Sequence, residues 1–64
     1  MLNTEPNLLN PDDMYQSLID AHRGLTDEQS MALNARIVLI LSNHVGNSHV
    51  LTEAFSLARN SLKI

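Results

Sequence analysis

The stretch between Thr26 and Gly46 leaves this chain the least freedom. It opens on Thr26-Asp27-Glu28-Gln29, a pattern in which the Thr side chain and the Gln three residues on satisfy each other's backbone N–H groups at a helix start. It closes on Gly46, a residue type that leaves a helix in the left-handed conformation without steric cost. Between these ends, at about 100° per residue, only Gln29, Arg36 and Asn43 form a consistently polar stripe, at heptad spacing. Met31, Leu33, Ala35, Ile37, Val38, Leu39, Ile40, Leu41 and Val45 cover most of the remaining circumference. A helix that is apolar nearly all round must be covered nearly all round. Residues 37–41 alone would suit a strand, but the capping box and the glycine frame a much longer run of helical period.

The flanking segments supply two amphipathic helices. Asn10 is a candidate N-cap, Pro11 suits the first helical position, and Asp12 and Asp13 suit the positive end of the helix dipole. Gly24 stops this helix, which is expected over residues 11–23. Met14, Leu18, Ala21 and Leu25 line one side of its apolar arc and Tyr15 and Ile19 the other, with His22 inside the arc. The third helix is expected over residues 48–62, with Leu51, Ala54, Phe55, Ala58 and Leu62 as its main stripe, Val50, Leu57 and Ile64 widening it and Lys63 facing away. The second is expected over residues 27–45. Residues 1–10 carry Pro6 and no helical period, and read as an extended arm whose Leu8 and Leu9 are available to dock. Short loops favour antiparallel neighbours. The expected fold is all-α: an antiparallel three-helix bundle over residues 11–64 with an extended N-terminal arm over residues 1–10.

Size sharpens the problem of coverage. A chain of 64 residues has a core worth only about 3–5 kcal/mol unless something staples it. There is no Cys, so neither a disulfide nor a thiolate metal site is available. Hydrophobic residues make up 44% of the chain and charged ones 17%, so it is apolar for its size. The central helix offers more apolar arc than two half-apolar partners cover. Leu39 lies on one side of its polar stripe, and Leu33 and Ile40 on the other. These residues are partly exposed rim residues, or lie under the arm through Leu8 and Leu9, or extend into a patch for a second chain. Leu33, Arg36, Leu39, Ile40 and Asn43 are therefore the candidate partner-binding residues.

No arrangement of side chains points to catalysis. The carboxylates sit mostly at helix starts or on solvent faces, and no serine has an adjacent base. His22 and Asn34 are the candidate buried polar residues. A buried Asn commonly fixes helix register, and its amide needs partners that a loop carbonyl or His22 could supply. His44 and His49 flank the Gly46 turn at a spacing that fits no common zinc site, and no metal or other cofactor is expected. Four Lys and Arg against seven Asp and Glu give a net charge of −3. The cations are scattered, which argues against nucleic acid. The longest apolar run, Ile37–Leu41, is far shorter than the roughly 20 residues that cross a bilayer. The start of the chain lacks a basic and an apolar region, so no export signal is read there and a cytoplasmic protein is expected.

Two phrases carry a resemblance: Ile19-Asp20-Ala21-His22-Arg23-Gly24-Leu25, and Leu33-Asn34-Ala35-Arg36-Ile37-Val38-Leu39-Ile40-Leu41-Ser42-Asn43-His44-Val45-Gly46. With the closing Leu57-Ala58-Arg59, the chain resembles a family of short, uncharacterised proteobacterial helical proteins, over roughly residues 12–59. The resemblance brings no catalytic residues. It implies proteins encoded beside flavin-dependent oxidoreductases of aromatic-compound breakdown, and so an accessory role. The resulting expectation is a non-catalytic protein-interaction module, the small accessory subunit of a larger bacterial enzyme. The alternatives are a self-sufficient homo-oligomer paired through the central helix, or a small-molecule binder.

Overall fold

The computed structural model describes residues 1–62. Its elements are α1 (Pro11–His22), α2 (Asp27–Val45) and α3 (Ser48–Asn60). No strand occurs among the described residues, and residues 37–41 are helical. Lys63 and Ile64, expected on the polar and apolar sides of α3, lie outside the described residues.

The helix ends follow local chemistry. At the start of α2, Gln29 donates its backbone N–H to Thr26 Oγ1 at 3.2 Å, and the Thr26 N–H donates to Gln29 Oε1 at 3.0 Å. At its end, Gly46 adopts φ 71° and its N–H donates to the Ser42 carbonyl at 2.9 Å. Asn47 caps α3, its Oδ1 accepting from the N–H groups of His49 and Val50. The cap of α1 differs from expectation: Asn10 stands at the N-cap position, but its side chain accepts no capping hydrogen bond. Its φ of −133° and ψ of 77° are consistent with that lost contact, and only its carbonyl contributes, accepting from Met14 N–H at 3.0 Å. α1 closes in a reverse turn. Arg23 (φ −63°, ψ 131°) and Gly24 (φ 79°) form its centre, and Leu25 N–H returns to the His22 carbonyl at 3.3 Å. These are the angles of a type II turn, whose third position requires the positive φ that glycine adopts freely.

The chain does not close. None of the described residues is buried. The best covered helix residues are only half-buried: Leu18 and His22 on α1, Ser30, Leu33, Ile37 and Ser42 on α2, and Val50, Leu51 and Ala54 on α3. No two helices form an extended packing contact, so a packed antiparallel bundle is not shown. The accessible surface is 5953 Å², whereas area scaling gives about 4,100 Å² for a folded monomer of 7.1 kDa. Folding of the single chain removes only about 40% of the surface its unfolded form exposes, against about 60% for ordinary domains of this size. The radius of gyration, 13.3 Å, exceeds the roughly 10.7 Å of a compact chain this long. The physical reason lies in α2, whose apolar residues point in more directions than α1 and α3 cover from where they lie.

The arm also departs from expectation. Leu8 and Leu9, expected to dock, are 62% and 97% exposed. Leu2 is the half-buried arm residue instead. Together with Thr4 it faces α3, where the two line a shallow depression with Thr52, Ser56 and Leu57.

Candidate functional site

Two side chains from different helices meet where α1 ends. His22 is the last residue of α1, and its imidazole folds back so that Nδ1 lies 2.8 Å from the Leu18 carbonyl oxygen. Its Nε2 lies 2.8 Å from Asn34 Oδ1 on α2. A carbonyl oxygen only accepts, so Nδ1 carries a proton. With Oδ1 facing Nε2, both ring nitrogens must donate, which only the imidazolium does. A half-turn of the Asn34 amide presents its NH₂ instead and suits the neutral ring. Either state pins α1 to α2. Asn34 itself is exposed in the single chain and His22 half-buried, so the expected full burial of the pair is not found there.

An open cavity of about 600 Å³ surrounds this pair, lined by Tyr15, Leu18, Ile19, His22, Arg23 and Asn34. The lining holds no carboxylate and no serine. Arg23 is engaged by Asp20 at 2.9 Å, and Asp20 also accepts from Gln16 at 3.0 Å. Both partners of the ion pair are well exposed, which limits such a pair to at most about 1 kcal/mol. The imidazole has both nitrogens occupied by the protein itself. This geometry ties the end of α1 to α2.

The candidate partner-binding residues divide. Leu33 is half-buried, and with Arg36, Leu25, Gln29 and Ala32 it lines a second shallow depression. Leu39 and Ile40 are 69% and 68% exposed, one on each side of the polar stripe, and do not share that depression. Arg36 and Asn43 are exposed on the stripe itself. His44 lies in the last turn of α2 and His49 in the first turn of α3, both exposed. No group of three possible metal ligands gathers among the described residues.

Sequence reasoning missed a further face of α2. Met31, Val38 and Val45 project to one side, away from the half-buried Leu33 and Ile37, with Leu41 between that side and Ile37, and all four are exposed. Met31 is 65% exposed and Leu41 53%. The signal was present as the seven-residue spacing of Met31, Val38 and Val45, the period of a coiled-coil seam. The spacing alone does not separate such a seam from the core beneath α1 and α3, since these residues read equally well as either.

A family model described as a protein of unknown function, DUF2783, matches residues 2–60. The chain belongs to the DUF2783 family. No curated protein matches it. No solved structure does either. No helix among the described residues of this DUF2783 member is long and apolar enough to cross a membrane.

Proposed function

We propose that the chain is a non-catalytic protein-interaction module whose fold is completed by association. One observation carries this reading: none of the described residues is buried, while the accessible surface stands at 5953 Å², about 1,900 Å² above that of an ordinary folded monomer of this mass. The surface that should stabilise the fold is still facing water. In the associated state α1 and α3 close against α2 as an antiparallel bundle, and the partner covers what they leave. The His22 surroundings support the absence of catalysis, since the imidazole is spent on two structural contacts. The scattered cations favour a protein over a nucleic acid as partner. The resemblance supplies the setting: a cytoplasmic accessory subunit of a larger bacterial enzyme, with an oxidoreductase of aromatic-compound breakdown as the first candidate.

The test is thermal unfolding across a hundredfold range of protein concentration, alone and with a larger enzyme recovered from native lysate. A fold completed by association melts higher as its partner becomes more abundant. Leu39→Glu or Ile40→Glu should release the larger enzyme while the circular-dichroism signal of the helices persists. A sharp melt of a monomer, indifferent to its own concentration and to added enzyme, refutes the reading.

A further inference from the structure

We draw no further inference here: the strongest candidate, the open cavity where the end of α1 meets α2 around Tyr15, Ile19, His22 and Asn34, has its imidazole and its Arg23 guanidinium taken up by contacts within the chain, and nothing in the structure shows what covers it.

Discussion

The His22–Asn34 contact is the one side-chain bridge described between α1 and α2, and its worth can be measured by a double-mutant cycle. His22→Ala, Asn34→Ala and the double variant are unfolded thermally at one fixed protein concentration, so that association contributes equally to all. A neutral hydrogen bond contributes about 0.5–1.5 kcal/mol net. Water reaches this pair in the single chain, because Asn34 is exposed and His22 only half-buried, which places a neutral contact near the low end, at about 0.5 kcal/mol. If the ring is an imidazolium donating from both nitrogens, the bond is about twice as strong. The expected coupling is therefore about 0.5–1 kcal/mol. In a chain this short, that corresponds to roughly 2–8 °C in Tm. Asn34→Asp should strengthen the contact with a protonated ring and make it sensitive to salt. Single-variant effects that add to the double within about 0.3 kcal/mol would show no coupling and refute the argument.

Other outcomes follow from the same geometry. Nitrogen-15 spectra of the imidazole should show His22 Nδ1 protonated whichever way the Asn34 amide points, because its partner is a carbonyl oxygen at 2.8 Å; a ring protonated at Nε2 alone would contradict this. Thr26→Ala should cost about 1 kcal/mol by removing the acceptor for Gln29 N–H, read as a fall in Tm with the helical signal intact below it. Gly46→Ala should cost about 1 kcal/mol from backbone conformation alone: φ is 71° and an added Cβ meets nothing nearer than the Asn43 carbonyl at 3.8 Å. Gly46→Asn should be milder, since Asn tolerates that conformation, and equal losses would point to a steric cause instead.

Helix ends were legible because the forces that make them are local. Thr26 and Gln29 are three residues apart, so their reciprocal bonds form whatever the rest of the chain does. Gly24 and Gly46 take positive φ where the pattern placed turns. Asn10 marks the limit of such reasoning: the right residue type at the right position does not cap when the incoming arm turns its backbone away. In the candidate site, the polar character of His22 and Asn34 was readable, but not which of Asn34's possible partners would reach it. They stand twelve residues apart in sequence, and only the path through Gly24 and the Thr26 cap brings them to 2.8 Å.

By itself, then, the sequence determined where the backbone is helical, where it turns and which directions on each helix are apolar, because caps, glycines and periodicity act over three or four residues. Tertiary structure decided coverage. The same apolar pattern on α2 is compatible with a closed bundle and with an open chain, and periodicity says only that a face should be covered, not by what. The paths of α1 and α3 leave Met31, Val38, Leu41 and Val45 in water, and the path of the arm brings Leu2 to α3 in place of Leu8 and Leu9. Those paths depend on competition among apolar contacts of nearly equal strength, which the hydrophobic effect, having no direction of its own, does not resolve within a single short segment.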